Sequence, residues 1–130
     1  MKNIEVTKFL YEAWTAQKNS HAPYSKIKVG VALLTTEGKI YRGCNVETTT
    51  MSLSICAERV SLLSALADGK KNFVQICIVS ETEKPLLPCG ACRQLLFEFA
   101  PNLIIISANH KGEYIIKSLK ELIPNPPLVY

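Results

Sequence analysis

Apolar side chains recur along this chain with two different periods. Between residues 4 and 18, Ile4, Phe9, Leu10, Ala13 and Trp14 fall near helical spacing and predict an amphipathic helix. Asn19-Ser20-His21-Ala22-Pro23-Tyr24-Ser25-Lys26 is turn-rich and reads as a loop. From 27 to 35 the period drops to two, with Ile27, Val29, Val31 and Leu33 on one face of a strand. Glu37-Gly38 turns it into a second strand over 39–45, which makes a hairpin. Residues 46–54 are polar and irregular. A helix is predicted over about 55–68, with Val60, Leu63 and Ala67 inward and Asp68-Gly69 at its end.

The second half repeats the alternation. Phe73–Ser80 is a short apolar run and reads as a buried strand. Residues 81–88 form a loop, and a helix covers about 89–99 and stops before Pro101. Leu103–Ser107 is another buried strand, Asn109–Gly112 a turn, and Glu113–Lys117 a fifth strand. Ser118 and Glu121 are spaced as a capping box for a short last helix. Pro124, Pro126 and Pro127 end the regular structure. Strands separated by helices imply parallel crossovers. The expected fold is α/β, a mixed five-stranded sheet layered with helices.

Length and composition narrow the class. A chain of 130 residues, 48% apolar and 20% charged, suits one globular domain spanning 1–130. No run approaches the ~20 apolar residues of a membrane span, and the N-terminus lacks a signal-peptide pattern, so a soluble cytoplasmic protein is expected. The net charge is +4, and the lysines are scattered without a basic stripe, which argues against a nucleic-acid partner. Five cysteines, an odd number without an export signal, argue for metal or catalytic use over a disulfide framework.

The cysteines fall into a pattern. Cys56-Ala57-Glu58 and Pro88-Cys89-Gly90-Ala91-Cys92 both lie at or near predicted helix starts. Cys89 and Cys92 share a helical face, and Cys56 would complete a three-thiolate set from another helix. Helix N-termini favour thiolate over thiol. Three protein ligands leave a fourth tetrahedral position for water, the catalytic arrangement of zinc. Three thiolates leave the site with excess negative charge, which Arg59 and Arg93, each just after ligand positions, could offset by donating to the sulfurs. Glu58 need not bind metal, and beside an activated water it can take and return a proton. A lone C-x-x-C also fits a redox pair or a structural half-site, and Cys44 or Cys77 could close a four-cysteine site. Cys77, inside a predicted buried strand, reads better as a small core hydrophobe. His21 and His110 fall in loops and read as surface residues.

At this point the sequence resembles the small, zinc-dependent cytidine deaminases. The likeness is carried by Ala22-Pro23-Tyr24-Ser25, Val29-Gly30, Gly43-Cys44-Asn45-Val46-Glu47, Ile55-Cys56-Ala57-Glu58-Arg59, Pro88-Cys89-Gly90-Ala91-Cys92-Arg93-Gln94 and Glu121-Leu122-Ile123-Pro124. A cysteine or histidine, a nearby glutamate that is not a ligand, then P-C-x-x-C is the general pattern of zinc deaminases. The resemblance implies a three-layer α/β/α fold and a homotetramer with active sites at subunit interfaces. It implies a nucleoside substrate, Zn2+ as cofactor on Cys56, Cys89 and Cys92, and Glu58 as proton shuttle. It implies Asn45 and Glu47 as ribose binders, Ala57, Ile27 and Val29 against the base, and Arg59 moderating the thiolate charge. The implied reaction is hydrolysis at C4 of cytidine or 2′-deoxycytidine, as in pyrimidine salvage.

Some positions depart from the family. It usually has Phe at Ile27, Asn at Thr48 and Tyr at Met51. Near the C-terminus it has an aromatic that covers the base, where this chain has Asn125-Pro126-Pro127-Leu128, leaving Tyr130 as the ring. These differences leave the zinc chemistry intact and bear on the base accepted. Two further readings follow: a deaminase of another aminopyrimidine nucleoside, such as a blasticidin-S-type antibiotic, and a non-catalytic zinc domain that mediates assembly. The second would have no need of Glu58.

Overall fold

The computed structural model describes residues 5–126, so Ile4, Pro127, Leu128 and Tyr130 lie outside the described residues. The elements are α1 (Val6–Gln17), β1 (Val29–Thr35), β2 (Ile40–Cys44), α2 (Ala57–Ala67), β3 (Phe73–Ser80), α3 (Gly90–Phe99), β4 (Ile104–Ala108), β5 (Tyr114–Ser118) and α4 (Leu119–Leu122). A single 3-10 turn, Met51–Leu53, interrupts the irregular stretch before α2.

The five strands form one sheet in the order β2-β1-β3-β4-β5. β1 pairs antiparallel with both β2 and β3, β3 pairs parallel with β4, and β4 pairs antiparallel with β5. The mixed sheet is as expected. Each face carries its own core. On one side Phe9 and Ala13 of α1 pack on Ala32, Leu34, Cys77, Val79 and Ile106. On the other, Leu62, Leu96 and Leu119 from α2, α3 and α4 pack on Val31, Leu33, Ile76, Ile78 and Ile105. The result is the three-layer α/β/α arrangement. Helices on both faces also explain why β1 is buried from Gly30 to Thr35 instead of alternating. Ile27 precedes that strand and is exposed.

The facing of α2 differs from its apolar pattern. Its buried residues are Ala57, Glu58, Ser61, Leu62 and Ala65, while Leu63 and Ala67 are exposed and Val60 is half-buried. Small side chains on the inner face let the helix approach β2 closely. A Cβ on Gly43 would lie 2.4 Å from the Ala57 carbonyl oxygen and 2.6 Å from the Ser61 nitrogen, so only glycine fits. Gly30 plays the same part under α1, where a Cβ would meet the Ala13 carbonyl at 2.1 Å. The capping box closes as expected, with Ser118 accepting from the Glu121 nitrogen and Glu121 accepting from the Ser118 nitrogen. Among the described residues no helix is long and apolar enough to cross a membrane.

Candidate active site

Sheet order brings the two cysteine motifs together. β2 and β3 flank β1 and both run antiparallel to it, so their C-terminal ends open on the same edge. The chain leaves β2 to enter α2 and leaves β3 to enter α3, so the two helix N-termini meet there. Cys56 is the N-cap of α2 and Cys89 the N-cap of α3, both in extended backbone just outside their helices. Cys92 follows in the first turn of α3. The three sulfurs all lie within 4.8 Å of one another, with Cys89 and Cys92 3.5 Å apart. A tetrahedral zinc with Zn–S of about 2.3 Å holds its sulfurs about 3.8 Å apart, so this donor set fits the ion in both spacing and chemistry. Cys44 and Cys77 fall outside the cluster, so among the described residues no four-cysteine site forms. Cys77 is fully buried, and burial pushes its thiol up to about 12.

Proton sharing splits the thiols. A hydrogen bond with Cys92, helped by the Arg59 guanidinium, draws Cys56 far below the ordinary thiol range. The same bond with Cys56, together with burial, pushes Cys92 up. A coordinated dication would remove the split, because a ligating thiol is deprotonated outright. Arg59 Nη2 reaches Cys56 Sγ at 3.7 Å and the Ser54 carbonyl at 3.4 Å, which places its charge against the sulfur as expected.

Arg93 does not do the same. Its Nε donates to the Pro88 carbonyl at 2.7 Å and its Nη1 to the Leu122 carbonyl at 2.8 Å. Two backbone acceptors lie closer to the fork than any sulfur, so the expected offset of thiolate charge falls to Arg59.

Glu58 sits in the first turn of α2, with 7% of its surface exposed. Burial pushes its carboxyl up to about 7, and the negative charge of Cys56 adds to this. It lines a cavity of about 190 Å³ with Val29, Asn45, Cys56, Ala57, Cys89, Ile78, Leu86 and Leu87. An adjoining cavity of about 150 Å³ shares Asn45 and Cys56 and adds Glu47, Met51, Ser54 and Ile55. Most of the expected residues therefore converge. Ile27 does not. It lines a separate cavity of about 470 Å³ walled by Lys18, Lys26, Lys28 and Glu81, away from the cysteines.

Asn45 and Glu47 are engaged in holding the loop that precedes β1. The Asn45 side chain accepts from the Val29 nitrogen at 2.9 Å and from Ser20 Oγ, and its Nδ2 donates to the Ile27 carbonyl at 2.8 Å. Glu47 Oε1 accepts from the Tyr24 and Ser25 nitrogens, each at 3.0 Å, and the Ser25 hydroxyl donates to Oε2. The Ser25 bonds hold the Glu47 carboxyl below its usual range. The sequence reading missed Ile78, Leu86 and Leu87. The apolar pair directly before Pro88-Cys89 was the available signal for the last two.

The profile of the cytidine and deoxycytidylate deaminase zinc-binding region matches residues 4–108. This chain belongs to that family. It is 38% identical to a cytidine deaminase of Sporosarcina psychrophila, over 93% of this chain and 90% of the relative. A crystal structure of cytidine deaminase from Burkholderia pseudomallei superposes with a TM-score of 0.92 at 40% identity, covering 95% of this chain and 99% of that one. A blasticidin-S deaminase of Bacillus cereus is 31% identical over 77% of this chain and 76% of its own length. The chain is a zinc-dependent enzyme of this deaminase family, and its sulfur cluster suits the ion.

Proposed function

We propose that the protein hydrolyses cytidine and 2′-deoxycytidine to uridine and 2′-deoxyuridine, a cytoplasmic step of pyrimidine salvage. One observation carries the reading: a buried glutamate with a raised pKa shares a small cavity with two of three clustered thiols. Cys56, Cys89 and Cys92 would hold the zinc, with Arg59 set against the charge on Cys56. When bound, zinc supplies a water of lowered pKa as nucleophile. Glu58 would accept one proton of the water and deliver it to N3 of the pyrimidine as the hydroxyl adds to C4. It would then take the remaining proton of that hydroxyl and pass it to the amino group, so that the C4–N bond breaks, ammonia leaves and the C4 carbonyl forms. A carboxyl near 7 suits both halves of that transfer.

The paired cavities suit a nucleoside. The base would lie against Val29, Ala57, Leu86 and Leu87, and the ribose would reach toward Asn45 and Glu47 in the adjoining space. An amide and a carboxylate can pair with sugar hydroxyls. Homotetramer formation is part of the proposal. Its support is the exposed apolar set Met51, Leu53 and Ile55 beside the site, with Leu63 on α2.

The 31% identity to a blasticidin-S deaminase, with Ile27 and Met51 standing where the family keeps aromatics, keeps a second substrate in view. The test is to incubate purified zinc-loaded protein with cytidine, deoxycytidine, adenosine and blasticidin S and follow the ultraviolet change on amino loss. Turnover of cytidine or deoxycytidine is expected. Inactivity on every pyrimidine nucleoside would overturn the proposal. Turnover of blasticidin S alone would replace its substrate.

A further inference from the structure

Of the three clustered cysteines, Cys89 is the one whose own side chain is exposed. Cys92 is fully buried and Cys56 half-buried, whereas Cys89 is exposed. It closes the stretch from Glu81 to Cys89, which contains no helix or strand. Beside it Pro88 is buried, and two side-chain hydrogen bonds further fix the turn, one from β4 and one from within α3. Ser107, fully buried on β4, donates its hydroxyl to the Leu86 carbonyl at 2.5 Å. Arg93, one turn into α3, folds back and donates Nε to the Pro88 carbonyl at 2.7 Å. Carbonyls 86 and 88 are thus both fixed just before Cys89.

The other end of Arg93 is anchored too. Its Nη1 donates to the Leu122 carbonyl at 2.8 Å, at the end of α4. That helix is fixed at its start by the capping box, by the Leu119 nitrogen donating to the Leu103 carbonyl at 2.9 Å, and by fully buried Leu119. Arg93 is therefore a strut between the C-terminal helix and the turn that carries Cys89.

We propose that Arg93, assisted by Ser107, is a positioning residue that sets the Cys89 sulfur for zinc through the Pro88 and Leu86 carbonyls, and not a charge partner of the sulfurs. The proposal rests on Cys89 being a zinc ligand. Zinc content of Cys89→Ala tests that separately, so the two can fail independently.

The two possible roles of Arg93 predict opposite behaviour for Arg93→Lys. A lysine keeps the charge but cannot place two fixed donors on two carbonyls as a planar guanidinium does. Zinc release to a competing chelator and the visible spectrum of the cobalt-substituted protein report the ligand geometry directly. Losing a partner that orients a ligand costs about 10- to 100-fold in metal affinity. Arg93→Lys and Arg93→Gln are both expected to release zinc faster, on the order of that range, with an altered cobalt spectrum. Ser107→Ala is expected to shift both readouts in the same direction by less. If Arg93→Lys behaves as wild type while Arg93→Gln does not, charge is the role and the proposal fails. It also fails if both arginine variants match wild type. Should the arginine variants not fold, Ser107→Ala carries the test, and wild-type zinc release and cobalt spectrum from it overturn the proposal.

Discussion

Gly43 of β2 lies so close to Ala57 of α2 that an added Cβ would stand 2.4 Å from the Ala57 carbonyl oxygen. The contact is backbone against backbone, so no side chain can rotate away. It seats the helix start that presents Cys56, Ala57 and Glu58. Gly43→Ala is expected to destabilise the protein by at least about 2 kcal/mol, the scale of overpacking a tight contact, and to lower activity by displacing α2. Denaturant midpoints and turnover on the same sample check this. An unchanged midpoint would show that the sheet and helix can separate freely.

Glu58→Gln removes the proton carrier and keeps the shape. Turnover is expected to fall by roughly 10²- to 10⁴-fold, with zinc content unchanged. Equal activity would remove Glu58 from the mechanism and favour an assembly domain.

The raised pKa of Glu58 gives a pH dependence with a definite sign. Only the carboxylate can accept the proton of the water, so kcat/KM should fall as pH drops through the Glu58 pKa, which is about 7 in the metal-free site. A bound cation nearby moves that limb to lower pH, not higher. An acid limb of kcat/KM that lies above about pH 7, or a kcat/KM that rises as pH falls, would contradict this. In zinc-free protein the same group acts on stability. Its folded pKa is raised from 4.5 to about 7, so its contribution is complete below 4.5 and is lost as pH rises through about 7. The cysteines titrate as well, so the measurement is the difference in stability between wild type and Glu58→Gln across that range.

Zinc content should follow the cluster and not the cysteine count. Cys56→Ala, Cys89→Ala and Cys92→Ala are each expected to lose bound zinc, measured by metal analysis after dialysis. Cys44→Ala and Cys77→Ala should keep it. Cys77→Ala should only lose core packing, about 1 kcal/mol.

Asn45 joins two jobs, since it holds the Val29 nitrogen and the Ile27 carbonyl while lining both cavities. Asn45→Ala is expected to raise KM for nucleosides at least tenfold, with zinc retained. A KM within twofold of wild type would count against the ribose assignment.

Light scattering should give four chain masses if the exposed apolar residues beside the site are covered by further copies. A monomer at micromolar concentration would remove the tetramer from the proposed function.

Much of this protein was legible in its sequence. The apolar runs of β1, β3 and β4 and the Ser118/Glu121 cap are local signals, and each element followed from its own residues, although β1 starts at Val29 and is buried on both faces where alternation from Ile27 was expected. The spacing of Cys56, Glu58, Cys89 and Cys92 named the chemistry because few arrangements use those groups at helix starts.

What sequence could not decide was anything that depends on a second element. The placing of β1 between β2 and β3 turns both strand ends to one edge and makes one cluster of Cys56, Cys89 and Cys92. The rotation of α2 put Ala57, Ser61 and Ala65 inward, the first two against Gly43, where the apolar pattern pointed to Val60, Leu63 and Ala67. Arg59 and Arg93 stand at matching places after their cysteines, yet one meets a sulfur and the other meets the Pro88 and Leu122 carbonyls. Periodicity records how much of a side chain is buried, whereas a long polar side chain bonds whichever acceptor the folded neighbours place within about 3 Å.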